Sequence, residues 1–176
     1  LRNMPVRFLV LDEVDGYPLD VGGEGSPSDL AIKRTSTFSR KKIFKLSTPT
    51  IEGASVIASD FEATDMRYYN VPCPECGVLQ VLKFKQLKWE KSKPATLKYE
   101  CEHCGEKIAE RFKTKMLASG KWIATKPENA SAKKVGYHIS TFYSPFGWYS
   151  WESIAEEWES SEGNEPKRKT FINTVL

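Results

Sequence analysis

No run of apolar residues in this chain approaches the ~20 needed to cross a bilayer. The longest, Phe8 to Leu11, suits a buried strand, so a soluble protein is expected. The opening Leu1-Arg2-Asn3-Met4-Pro5 lacks the apolar stretch and the small-residue cleavage site of a signal peptide, which argues against secretion. No G-x-x-x-x-G-K-[ST] phosphate cradle occurs. The sole Gly-Lys pair, Gly120-Lys121, is followed by Trp122 and has no glycine at the required upstream position. The chain therefore cannot bind ATP by a complete P-loop of its own. It also begins without Met and closes on Phe171-Ile172-Asn173-Thr174-Val175-Leu176 without a polar tail, so it reads as an excerpt.

What is present suffices for a folded core: 176 residues, 40% of them hydrophobic. Net charge is only +3, but it is unevenly distributed, at −2 over residues 1–77, +7 over 78–126 and −2 over 127–176. A basic middle attracts nucleic acid, and lysine is equally the usual solvated residue on exposed strands and helices.

Cysteine is scarce and used in one pattern. Cys73-Pro74-Glu75-Cys76-Gly77 and Cys101-Glu102-His103-Cys104-Gly105 are two knuckles separated by 24 residues. Thiolates three apart on a tight turn let backbone N–H groups point at sulfur, and the glycine after each pair supplies the dihedrals that the turn requires. Two knuckles complete a tetrahedron, so Cys73, Cys76, Cys101 and Cys104 are the expected ligands of one Zn²⁺. A β-hairpin accommodates the long spacing, with Val78 to Phe84 and Thr96 to Glu100 as candidate strands. Two disulfides or a redox CxxC are the alternatives, and a chain without export signals disfavours disulfides. Four thiolates leave no open position for water, so the metal is expected to organise and not to catalyse. His103, between Glu102 and Cys104, is a weaker candidate, expected to stay exposed or to sit behind the sulfurs without ligating.

Upstream, Val6-Arg7-Phe8-Leu9-Val10-Leu11 is the pattern of a buried parallel strand that delivers Asp12-Glu13 to its C-terminal edge, where α/β proteins bind ligands. Ser26-Pro27-Ser28-Asp29 starts a helix that should run to about Ser39, and Lys42 to Leu46 is a second strand ending in Ser47-Thr48-Pro49-Thr50. In nucleotide-hydrolysing α/β folds, an acid ending such a strand holds Mg²⁺ and an adjacent Glu polarises water. Asp12 and Glu13 match those roles, and Ser47 and Thr48 match hydroxyls that sense a γ-phosphate. An acidic pair ending a strand is also, often, just a solvated turn. Further on, Glu110 to Ser119 has helical spacing with Gly120 as its C-terminal cap. Arg111, Lys113, Lys115 and Lys121 meet phosphate only if they share a face. Tyr137, Phe142, Tyr143, Phe146, Trp148, Tyr149, Trp151 and Trp158 read as core more readily than as a base-stacking platform. Ser150 to Glu159 reads as a capped helix, and Ser160 to Lys169 as a polar loop whose basic triplet is too short to argue for DNA.

The order Phe8 through Pro18, then Ser47-Thr48-Pro49-Thr50, then Tyr68-Tyr69-Asn70-Val71-Pro72 running into the first knuckle resembles the lambda-type large terminase subunit of tailed phages. The resemblance continues through Gly136-Tyr137-His138-Ile139 and Tyr143-Ser144-Pro145 to the end of the chain. It implies an α/β fold: a partial P-loop NTPase-type parallel sheet from the Walker B strand onward, then a four-cysteine zinc ribbon and a small α+β region. The implied division is 1–66 for the end of the ATPase domain, 67–126 for the ribbon with its basic helix, and 127–176 for an aromatic-rich linker before a nuclease domain. By resemblance Asp12 is the Walker B metal acid and Glu13 the catalytic base, while Ser47, Thr48 and Pro49 couple hydrolysis to DNA movement. The cofactors implied are ATP and Mg²⁺ in the complete protein, besides structural Zn²⁺. The partners implied are double-stranded DNA, the small terminase subunit, the procapsid portal and further copies of the subunit, in the cytoplasm of an infected or lysogenic bacterium. Walker A and the nuclease acids would lie outside this chain. A helicase-type ATPase fragment and a non-catalytic zinc-ribbon module for nucleic acid or protein are the competing readings.

Overall fold

The computed structural model describes residues 4–50, 53–131 and 133–176; the opening Leu1 to Asn3 lies outside them. The chain divides into two compact units, Leu1–Asp60 and Phe61–Leu176.

The first unit is strand, helix, strand. β1 (Phe8–Asp12) and β2 (Lys42–Leu46) are parallel, with Phe8 beside Lys42 and Asp12 beside Leu46. Between them runs α1 (Pro27–Lys33), where the Ser26 hydroxyl accepts from Asp29 N–H and Pro27 opens the first turn. α1 is shorter than expected. Thr35 is buried and its hydroxyl bonds back to the Ile32 carbonyl at 2.8 Å, offering the backbone an alternative to further helix through Ser39. β1 is also less buried than its composition suggests. Leu11 is inside, but Phe8 and Val10 are 63% and 65% exposed and Phe44 of β2 is 59% exposed, because nothing among the described residues covers that face. α2 (Val56–Glu62) leads across the boundary into the second unit.

The second unit carries two small sheets around one core. In the first, β3 (Arg67–Pro72) has β8 (Lys121–Ala124) antiparallel on one side, and on the other β4 (Leu79–Val81) antiparallel and β9 (Tyr137–His138) parallel. The second is an antiparallel sheet of β5 (Leu87–Glu90), β6 (Lys93–Glu100) and β7 (Lys107–Ile108). The hairpin between the knuckles is therefore β5–β6. The segment expected to pair with residues 96–100 instead pairs with β3, because the turn at Phe84–Gln86 separates it from the hairpin.

α3 (Lys113–Ala118) follows a 3-10 turn at Glu110–Phe112. Gly120 does not end it in a left-handed conformation. It is required by close approach, since a Cβ there would lie 2.5 Å from the Tyr69 ring, whose hydroxyl donates to the Leu117 carbonyl at 2.7 Å. α4 (Trp151–Ser160) is capped by Ser150 as expected. α5 (Glu165–Val175) occupies half of the supposed polar loop and the closing residues. Asn164 accepts from Lys167 N–H and Pro166 sits in the first turn, a start signal that the polar composition conceals, while Phe171 and Val175 enter the core.

That core joins Val71, Leu97, Tyr99 and Ile108 from the strands, and Leu82 just after β4, to Phe142, Tyr143, Trp151, Ile154 and Phe171. The polar ends of the buried rings are satisfied. The Tyr143 hydroxyl accepts from Leu82 N–H at 2.8 Å and donates to the Tyr69 carbonyl at 2.6 Å, and the Trp151 indole donates to the Phe142 carbonyl. Phe142, Tyr143, Tyr149, Trp151 and Trp158 thus share one core with the strands that lead into the cysteines, whereas Tyr137, Phe146 and Trp148 remain outside it.

Candidate active site and metal centre

Parallel pairing brings both strand ends of the first unit to one edge. Asp12 is the last residue of β1, Leu46 lies beside it as the last of β2, and Glu13 and Ser47 each follow directly. Asp12, Glu13 and Thr48 are exposed there and Ser47 is half-buried. Glu13 holds a left-handed backbone (φ 53°, ψ 48°), which is uncommon for a residue with a side chain, and opens the 3-10 turn Val14–Gly16. Two carboxylates and two hydroxyls on one accessible edge offer oxygen ligands to a hard divalent cation and an acceptor for a water proton.

Asp15, which sequence pattern assigns no role beyond a loop, links these ends. Its N–H donates to Ser47 Oγ at 3.2 Å, and its carboxylate accepts from Thr50 N–H at 3.1 Å, the Thr50 hydroxyl at 3.3 Å and Ile57 N–H at 2.8 Å. Burial works against the charged form, yet the bonds from Ser55, Ile57 and Thr50 hold this carboxyl below its ordinary value. The one sequence signal for it lies in Asp12-Glu13-Val14-Asp15, where a second Asp follows the first by three positions.

In the second unit the two knuckles have the same backbone. Gly77 N–H donates to the Cys73 carbonyl at 2.9 Å and Gly105 N–H to the Cys101 carbonyl at 3.0 Å, with φ of 73° and 74° at the two glycines. The four Sγ atoms lie within 4.8 Å of one another, with Cys73 to Cys104 at 3.8 Å and Cys76 to Cys101 at 3.9 Å. Those separations are far beyond a disulfide bond of about 2.05 Å. They match the roughly 3.8 Å between sulfurs arranged tetrahedrally at about 2.3 Å from a metal. The donor set therefore fits a tetrahedral thiolate centre. His103 is exposed and its main-chain N–H, not its ring, faces Cys101 Sγ at 3.4 Å.

Electrostatics around the sulfurs are uneven. Burial pushes the Cys73 thiol up. Burial also opposes ionisation of Cys101, but the N–H groups of Cys104 and His103 pull it down to about 6. The Glu106 N–H favours the Cys104 thiolate, yet burial and the surrounding sulfurs push that thiol to about 12. Without a cation, the cluster favours one thiolate at the expense of its neighbours.

Among the basic residues, Lys113 is fully buried, bonded to Glu110 at 3.0 Å and to the Tyr149 carbonyl at 3.2 Å, so it does not share a phosphate-binding face with Arg111, Lys115 and Lys121.

The family model for the ATPase domain of the phage terminase large subunit gpA matches residues 1–122, and that for the endonuclease domain of the same subunit matches residues 134–176. The chain belongs to the phage terminase large subunit family. It is 35% identical to the terminase large subunit of Enterobacteria phage P21 and 32% identical to that of Escherichia phage lambda, in each case over 99% of this chain and 30% of the relative. The chain thus spans less than a third of the length of these terminase subunits. No solved structure matches it. Both unit 1 and the cysteine cluster fall within the ATPase-domain match, while β9, α4 and α5 fall within the endonuclease-domain match.

Proposed function

We propose that this chain is the part of a terminase large subunit that carries the Walker B strand, the coupling segment and a zinc ribbon of an ATP-driven motor. The motor moves double-stranded viral DNA into procapsids, and the endonuclease of the same subunit cuts concatemeric DNA. The observation that carries this reading is the parallel β1–β2 pair, which ends in Asp12-Glu13 and Ser47-Thr48 at one edge inside a continuous family match.

In the complete subunit, Asp12 would hold the Mg²⁺ of Mg–ATP, and that cation would supply charge neutralisation to the phosphates. The Glu13 carboxylate orients a water for in-line attack on the γ-phosphorus and accepts its proton. Ser47 and Thr48 present hydroxyls toward the γ-phosphate, and loss of that phosphate is felt at the Ser47-Thr48-Pro49 segment. Cys73, Cys76, Cys101 and Cys104 would hold one Zn²⁺, which would organise the second unit and supply no chemistry to hydrolysis. The partners that follow are the DNA, the procapsid portal, the small subunit and further copies of the large subunit, in the bacterial cytoplasm.

The experiment is Glu13→Gln in the full-length subunit. ATP turnover should fall by at least about a hundredfold, within the range of general-base contributions, while nucleotide binding stays within about threefold. Normal turnover would remove Glu13 from the role of base.

A further inference from the structure

Asp15 directs every polar group it has except its carbonyl to other segments. Its main-chain N–H reaches Ser47 Oγ, 32 positions away. One carboxylate oxygen takes both the N–H and the hydroxyl of Thr50, 35 positions away, and the other takes Ile57 N–H, 42 positions away in the first turn of α2. Capping α2 would need only one of these oxygens, and the Ser55 hydroxyl already accepts from Ala58 N–H at 3.1 Å. The remaining bonds all go to the segment that follows β2. With both oxygens engaged by protein donors, Asp15 is suited to holding backbone and not to binding a cation.

The other end of the link is Glu13. The turn from Glu13 to Gly16 is closed by Gly16 N–H on the Glu13 carbonyl at 2.9 Å, and Val14, between the two acids, is buried. Glu13 already holds an uncommon left-handed backbone. A residue in that region persists only where its surroundings over-determine it. Here the surroundings are the buried Val14 and the bonds that Asp15 makes with Ser47, Thr50, Ser55 and Ile57. Displacement of Ser47 or Thr50 must either break those bonds or drag the turn, and the direction of the Glu13 side chain follows the turn.

We infer that Asp15 is a positioning residue that couples the segment after β2 to the orientation of Glu13. This rests on the reading of Glu13 as the base and of Ser47 to Pro49 as the coupling segment. When the γ-phosphate leaves and that segment moves, Asp15 carries the movement to the turn. When the segment is returned by DNA engagement, Asp15 resets Glu13 against its water. Asp15 touches neither nucleotide nor water itself.

The test uses the full-length subunit with DNA and procapsids, and compares Asp15→Asn, Thr50→Val, their double variant and Glu13→Gln. The readouts are kcat and KM for ATP, base pairs packaged per ATP hydrolysed, and thermal melting. Asp15→Asn replaces one acceptor oxygen by a donor that faces Thr50 or Ile57. Mispositioned catalytic groups lose rate without losing ground-state binding, so its kcat should fall at least about tenfold with KM for ATP within about twofold. Base pairs per ATP should fall as well, which a merely structural role would not produce at unchanged melting temperature. Thr50→Val should move the same readouts in the same direction by about two- to threefold, and the double variant should be no worse than Asp15→Asn alone, since both cut one link. Wild-type kcat and base pairs per ATP in Asp15→Asn would overturn the inference, and so would full additivity in the double variant. If Asp15→Asn does not fold, Thr50→Val decides alone: unchanged base pairs per ATP would overturn the link. Normal turnover in Glu13→Gln sinks the base assignment, whereas an inactive Glu13→Gln beside a wild-type-like Asp15→Asn sinks only the coupling.

Discussion

A buried ion pair at the start of α3 is tied to the start of α4. Lys113 lies under the surface against the Trp151 ring, with its ammonium 5.4 Å from the ring centroid, and burial pulls its pKa down while Glu110 works to keep it charged. Glu110 Oε1 accepts from Lys113 Nζ and also from Trp151 N–H at 2.9 Å, the first helical residue of α4. Removing one partner of a buried pair leaves a charge without compensation. Glu110→Ala should therefore cost about 3 to 5 kcal/mol in urea unfolding. Lys113→Met, which replaces the charge with an apolar chain of similar volume against Trp151, should cost less, and a reversed order would show that the pair is not what holds α4. Lys113 stands among Arg111, Lys115 and Lys121 as one more cation, and only its position on the inner face of α3 removes it from any phosphate-binding surface.

Between elements, the turn of the β5–β6 hairpin is tied to α4 through one carboxylate. Glu159 Oε1 accepts from Ser92 N–H at 2.8 Å and from the Trp89 indole at 2.9 Å. These bonds, the Ser92 N–H foremost, hold the Glu159 pKa below its ordinary value. A carboxyl depressed in the folded state contributes its stabilisation fully above the ordinary glutamate value and loses it as pH falls through the lower folded value. The protection of the Ser92 amide against exchange, relative to its intrinsic rate at each pH, should thus fall on acidification before the core opens, and Glu159→Gln should flatten that dependence. Loss of a metal from the four cysteines would have wider consequences. Cys73 follows β3 directly and Cys101 follows β6 directly, so the cluster clamps the two sheets together. Cys101→Ser, or removal of zinc by a strong chelator, should forfeit most of the about 10 to 16 kcal/mol that such sites supply and unfold the second unit. Metal analysis of freshly purified protein that finds no zinc would defeat the assignment.

At the scale of the molecule, the first unit is left open. Parallel sheets are ordinarily covered on both faces, yet Phe8, Val10 and Phe44 stand in solvent on a two-stranded parallel pair. The isolated 176-residue chain should therefore bind a hydrophobic dye and aggregate, and Val10→Thr with Phe44→Lys should reduce both without disturbing the second unit's melting transition. The two cysteine knuckles, the parallel strand pair and the caps at Ser26 and Ser150 were legible because each depends on residue types at short, fixed spacing. The four cysteines and the strand-end acids were site candidates from sequence for the same reason. Local pattern did not decide that β4 would leave the hairpin for β3, that Asn164 would start a helix inside a polar run, or that Gly120 serves the Tyr69 ring. Nor did it show Asp15 as the link between two strand ends, because its partners lie 32 to 42 positions away. The thiols, carboxylates and caps could be read along the chain, since each acts within a few residues of its neighbours. Which of those groups meet was set by the folded arrangement, because hydrogen bonds and packing over long separations depend on how the elements dock.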